Sequence, residues 1–166
     1  VEVSLVTPGA LDVGEKLVTE RGPGTVVGVG TVLSSGQVHA AADSGATFIV
    51  APTFRDDVVA ACRDRGLGAI PGVCTPTEAM AALDAGADLV KLFPASNWTP
   101  RSLRDLLTAL PQLPLVPTGG VGIEDAPDWI RAGAVAVGMG GALTRGNAAD
   151  TSRRVRELLD RLGEAR

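Results

Sequence analysis

The 166-residue chain has only two lysines, Lys16 and Lys91, among its 15 basic residues. Lys91 stands in Asp88-Leu89-Val90-Lys91-Leu92-Phe93-Pro94, with apolar neighbours on both sides. An ammonium group in a buried strand is costly unless it is paired or neutralised. A lysine desolvated in this way becomes a neutral amine that can attack a ketone and form a Schiff base. The resulting iminium draws in the electrons of an adjacent breaking C–C or C–H bond. The competing reading is a strand-end lysine whose head reaches water. Lys16 follows Glu15 in a polar stretch and reads as a solvated helix residue.

Glu2 is the second unusual residue. In Val1-Glu2-Val3-Ser4-Leu5-Val6, strand alternation puts Glu2, Ser4 and Val6 on one face and Val1, Val3 and Leu5 on the other. An inward-facing acid could move protons; the alternative is a solvated acid at a terminus. Thr31, after Gly28-Val29-Gly30, and Thr118, after Val116-Pro117, offer hydroxyls to a small carboxylate or hydroxyl ligand, or else cap turns. Two glycine clusters, Thr118-Gly119-Gly120 and Gly138-Met139-Gly140-Gly141, could present bare N–H groups to a phosphate. They serve equally as tight turns. Cys74 has no histidine near it, and His39 is the one histidine in the chain. A Cys/His nucleophile and a histidine-based metal site are therefore disfavoured. Trp98 and Trp129 read as packing or interface residues.

These residues must be positioned by short elements. Apolar runs at 1–6, 25–29, 47–51, 68–72, 88–93, 115–118 and 135–138 are Val/Ile/Leu-rich without strict alternation. Strands buried on both faces look like this. Between them lie helical runs, including 37–44, 54–65, 77–85, 101–110 and 151–162. Gly45, Gly66, Gly86 and Gly133 each stand where a helix should stop before the next apolar run. Thr75-Pro76-Thr77-Glu78 and Thr99-Pro100 read as helix starts. The pattern is one domain, 1–166, of repeating βα units in the α/β class.

Composition narrows the class further. Nineteen acidic against 15 basic residues give a net charge of −4, which argues against nucleic acid or an anionic membrane as partner. Hydrophobic residues make up 45% and aromatics 3%, so the core is aliphatic. Two cysteines make no disulfide framework and fit a cytoplasmic protein. An open doubly wound sheet would make Gly28-Val29-Gly30 a dinucleotide loop, but Leu33 stands where the third glycine belongs. A closed barrel instead gains from glycines after its last two strands.

Read together, several blocks resemble the 2-keto-3-deoxy-6-phosphogluconate aldolase family, grouped with 4-hydroxy-2-oxoglutarate aldolase. They are Glu2-Val3-Ser4-Leu5 with Thr7-Pro8-Gly9-Ala10-Leu11, Val27-Gly28-Val29-Gly30-Thr31-Val32-Leu33 and Gly45-Ala46-Thr47-Phe48-Ile49-Val50-Ala51-Pro52. Ile70-Pro71-Gly72-Val73-Cys74-Thr75-Pro76-Thr77-Glu78, Val90-Lys91-Leu92-Phe93-Pro94-Ala95, Pro117-Thr118-Gly119-Gly120-Val121 and Ala136-Val137-Gly138-Met139-Gly140 complete the set. The resemblance implies a (β/α)8 TIM barrel, a homotrimer and a cytoplasmic lyase of Entner–Doudoroff carbohydrate metabolism. The implied reaction is reversible cleavage of a 2-keto-3-deoxy-6-phospho sugar acid to pyruvate and glyceraldehyde 3-phosphate. Lys91 falls on the Schiff-base lysine and Glu2 on the acid/base glutamate. Thr31, Phe93 and Thr118 fall around the pyruvate moiety, and Gly119, Gly120, Gly138, Gly140 and Gly141 on the phosphate site. No metal and no cofactor is implied.

Two departures stand out. Val6 occupies a position where the gluconate enzymes carry arginine, and the sister 2-keto-3-deoxy-6-phosphogalactonate aldolases also lack it. The family also places a strand and a helix before the glutamate strand. Seven apolar runs against the eight strands of a barrel therefore lead to the expectation that the first βα unit is missing from this chain.

Overall fold

The structure is a computed structural model that describes residues 1–22 and 24–164. The chain forms two compact units, Val1–Lys91 and Leu92–Arg166.

The first unit alternates strand and helix: β1 (Glu2–Ser4), α1 (Ala10–Glu20), β2 (Gly28–Gly30), α2 (Ser35–Asp43), β3 (Phe48–Val50), α3 (Asp56–Asp64), β4 (Gly68–Ile70), β5 (Gly72–Val73) and α4 (Pro76–Asp84). β6 (Val90–Leu92) carries the boundary between the units. β1, β2, β3 and β4 lie side by side in chain order, all parallel. A doubly wound sheet needs a point where strand order reverses, and these four strands contain none. The core is aliphatic, as the composition requires: Val29, Ile49 and Ala69 from the strands meet Val38, Ala41, Val58, Val59 and Cys62 from α2 and α3.

Several expectations are refined. The run 68–72 is two strands, β4 and β5, interrupted at Pro71, whose ring leaves no N–H for a continuous ladder. The run 25–29 pairs later than expected, at Gly28–Gly30. The helix stops hold: Gly45, Gly66, Gly86 and Gly133 all take positive φ. The start of α4 is a complete capping box. Thr75 Oγ1 accepts the Glu78 N–H at 3.3 Å, and Glu78 Oε2 accepts the Thr75 N–H at 2.9 Å. Thr75→Ala should therefore cost about 1 kcal/mol, read as a lower urea midpoint at unchanged slope.

In the second unit a 3₁₀ turn (Ala95–Asn97) leads into α5 (Pro100–Ala109), followed by β7 (Leu115–Pro117), α6 (Ala126–Arg131), α7 (Gly141–Thr144) and α8 (Ala148–Glu164). Thr99 and Ser102 form a second capping box at α5. Trp129 is buried, as a packing residue should be, and its indole N–H has no hydrogen-bond partner among the described residues. The run 135–138, expected as a strand, is not one. It makes a single parallel bridge, Gly138 with Thr118. Val135 and Ala136 are exposed, so this run lacks the two-sided burial that marks the strands of the first unit. Among the described residues no helix is long and apolar enough to cross a membrane.

Candidate active site

Within the first unit the structure brings Glu2, Lys91 and Thr31 to neighbouring places. β6 is buried at all three residues, and Lys91 itself is only 7% exposed. Its backbone N–H donates to the Pro71 carbonyl at 2.9 Å, which fixes β6 against β5. Pleating turns Lys91 to the face opposite Val90 and Leu92. Burial holds its amine below the usual lysine range, and the charge of Glu2 pulls partly the other way. The snorkelling alternative requires a head in water, and this side chain is buried.

Glu2 shows the converse. Burial raises its carboxyl above the usual range, opposed by Lys91 and then by the Val1 ammonium. The residue as a whole is exposed, but its acid end lies folded over Gly30, where a Cβ would overlap the carboxylate. A lysine pushed down and a glutamate pushed up, each within the other's field, bring the two pKa values towards each other and make proton exchange between the pair less costly. Gly30→Ala should displace the carboxylate. A misplacement of about 1 Å costs roughly 10²-fold in turnover, so steady-state kinetics on the folded variant should show a loss of that order.

Thr31 lies just past β2, in register terms beside Ser4, which pairs with Gly30. Its hydroxyl is 2.6 Å from Ser4 Oγ. Ser4 and Gly30 were not among the residues that sequence reasoning singled out as the site. The i, i+2 alternation that puts Ser4 on the Glu2 face was the available signal. Cys62 sits in the core with its thiol pushed up to about 11, by burial first and Asp88 second, which keeps it an inert packing group.

The second unit gathers another group of the expected residues. A Cβ on Gly119 would meet the Phe93 ring, one on Gly120 would meet Ser96, and one on Gly138 would overlap the Thr118 hydroxyl. Close packing thus accounts for glycine at these positions. The Thr118 hydroxyl donates to the Val116 carbonyl at 3.1 Å, the turn role that competed with ligand binding. Gly140 and Gly141 stand at the start of α7, and a Cβ on either meets nothing within 4 Å. No neighbour within the unit dictates glycine there.

Residues 1–157 match the family described as KDPG and KHG aldolase. The chain is 36% identical over 146 residues to the 2-dehydro-3-deoxy-6-phosphogalactonate aldolase of Escherichia coli (strain K12), covering 87% of this chain and 71% of that protein. A solved native KDPGal structure is similar with a TM-score of 0.93 at 32% identity, over 99% of this chain and 81% of that one. A KDPG aldolase from Legionella pneumophila, solved with pyruvate captured as a covalent carbinolamine, gives a TM-score of 0.80 at 27% identity, over 98% of this chain and 79% of that one. The family match over residues 1–157 and the 36% identity to a relative covered over 71% of its length agree with the fold: the chain belongs to the KDPG and KHG aldolase family.

Proposed function

We propose that the chain is a class I aldolase that cleaves a 2-keto-3-deoxy-6-phospho sugar acid reversibly to pyruvate and glyceraldehyde 3-phosphate. The observation that carries the reading is Lys91, buried on β6 within the field of Glu2. The neutral Nζ of Lys91 attacks the C2 ketone and gives a carbinolamine. Loss of water leaves an iminium. Glu2 takes the proton of the C4 hydroxyl, the C3–C4 bond breaks, and its electron pair collapses into an enamine on Lys91. The aldehyde leaves, C3 of the enamine takes that proton back from Glu2 to restore the iminium, and water hydrolyses the iminium to pyruvate and the lysine amine. The iminium itself is the electron sink, so the chemistry calls for neither a metal nor a redox cofactor.

Thr31, Phe93 and Thr118 are assigned to the pyruvate end of the substrate. Gly119, Gly120, Gly138, Gly140 and Gly141 are assigned to the phosphate end. The whole chain is taken as one domain of a (β/α)8 barrel, supported by the parallel β1–β4 order and by the similarity to solved aldolases. A cytoplasmic homotrimer completes the reading. Within it, a galactonate-type substrate is favoured by Val6, which is 77% exposed and uncharged where the gluconate enzymes carry arginine. The 36% identity to the galactonate aldolase points the same way.

A coupled assay of pyruvate release tests this across the gluconate, galactonate and 4-hydroxy-2-oxoglutarate substrates. Turnover is expected on the phosphorylated acids, fastest on galactonate. Folded protein that releases pyruvate from none of them contradicts the reading.

A further inference from the structure

Among the described residues, Thr31 is the one residue other than glycine with a positive φ, 61°. A β-branched side chain there is a backbone outlier that persists only when its surroundings hold it. Across the strand pair, Ser4 Oγ approaches Thr31 Oγ1 to 2.6 Å, at the short end for two hydroxyls. The contact joins residues 27 apart in sequence and is half-buried. Backbone pairing places it: Ser4 is in register with Gly30, and the Leu5 N–H donates to the Gly30 carbonyl at 2.9 Å. Ser4 shares its strand face with Glu2, while Val3 turns into the core. The carboxylate of Glu2 in turn lies over Gly30, next in the chain to Thr31.

Two hydroxyls joined by one hydrogen bond share a donor and an acceptor, and one proton stays free at one end. When Ser4 donates, the Thr31 proton is left to point away from β1. We propose that Ser4 is a positioning residue for the aldol reaction: its hydroxyl holds Thr31 so that the Thr31 O–H donates to an oxygen of the keto acid carried by Lys91. This rests on the aldolase reading. Ser4 does not touch the substrate and acts only through Thr31. The hydrogen bond to Ser4 ties the Thr31 hydroxyl to β1 and so fixes where its side chain points. An unanchored Thr31 would spend part of its time turned from the ligand and would bind it more weakly, with the chemical step unaltered.

A double-mutant cycle tests this, with Ser4→Ala, Thr31→Ala, the double variant, and the conservative Ser4→Thr. KM, kcat and thermal melting are measured for each on the best keto-acid substrate. Ser4→Ala should raise KM about ten-fold, the worth of one hydrogen bond, with kcat within about two-fold. The double variant should be no worse than Thr31→Ala alone, since the two residues act as one unit. Ser4→Thr, which keeps the hydroxyl at position 4, should recover most of the KM lost in Ser4→Ala. An unchanged KM in Ser4→Ala overturns the proposal, as do multiplicative losses in the double variant. Should Ser4→Ala fail to fold, a KM raised ten-fold in folded Ser4→Thr overturns it equally. If the parent protein itself releases no pyruvate from any substrate, the aldolase reading has failed and this proposal falls with it. That outcome is seen before any variant is made.

Discussion

Lys91→Met is expected to abolish aldol cleavage while leaving the protein folded. The loss should reach roughly 10⁴-fold or more in kcat, about 5 kcal/mol of barrier, because no other amine among the described residues is buried. Methionine keeps the unbranched shape and removes only the nucleophile. Lys91→Arg should be as inactive, since a guanidinium stays protonated and cannot form the carbinolamine. Stability separates this outcome from unfolding. The folded-state pKa of Lys91 lies below its ordinary value of 10.5. The stability this group contributes is therefore fully present above pH 10.5 and is lost as pH falls through the folded value. Methionine carries no such dependence. Lys91→Met should be at least as stable as the parent near neutrality, and the difference should shrink as pH approaches 10.5. Urea titrations at several pH values read both the sign and the trend.

Glu2→Gln is the second large effect. Proton transfer by a placed carboxylate is worth about 10²- to 10⁴-fold, and kcat should fall by that factor. Capture of pyruvate by Lys91 should survive, because the amide leaves the nucleophile in place. The pH profile carries the mechanism. Cleavage needs ionised Glu2 and neutral Lys91, so kcat/KM should rise with pH in two apparent steps that belong to the pair. Burial raises Glu2, which puts the lower step above the ordinary carboxyl value of 4.5. Glu2→Gln should erase that step. The stability sign is opposite to that of Lys91: what Glu2 contributes is present below 4.5 and is lost as pH rises through its raised folded value. A lower step that persists in the glutamine variant would assign the proton transfer to another group.

The two ionisable residues of the site were legible because each breaks a local rule. A lysine inside an apolar strand, and an acid alternating with valines, are conflicts that sequence alone exposes. The strand–helix rhythm was legible for the same reason that it folds: helix stops at Gly45, Gly66 and Gly86 and a capping box at Thr75 are written in residue types. What stayed hidden depends on register. Only the pairing of β1 with β2 brings Ser4 to Thr31 and the Glu2 carboxylate over Gly30. The run 135–138 has the composition of a buried strand, yet two of its residues face solvent and it makes one bridge. Composition records what a segment could bury, and packing decides whether it does. The glycines at 119, 120 and 138 teach the same point: neighbouring side chains dictate them locally, so their type does not by itself report a ligand.

The most direct measurement is borohydride reduction of the protein in the presence of pyruvate, followed by peptide mass mapping. One reduced pyruvate adduct per chain is expected, located on the peptide that contains Lys91 and absent when pyruvate or borohydride is omitted. Folded protein that gains no mass, or gains it on Lys16 instead, would contradict the assignment of Lys91 as the Schiff-base nucleophile.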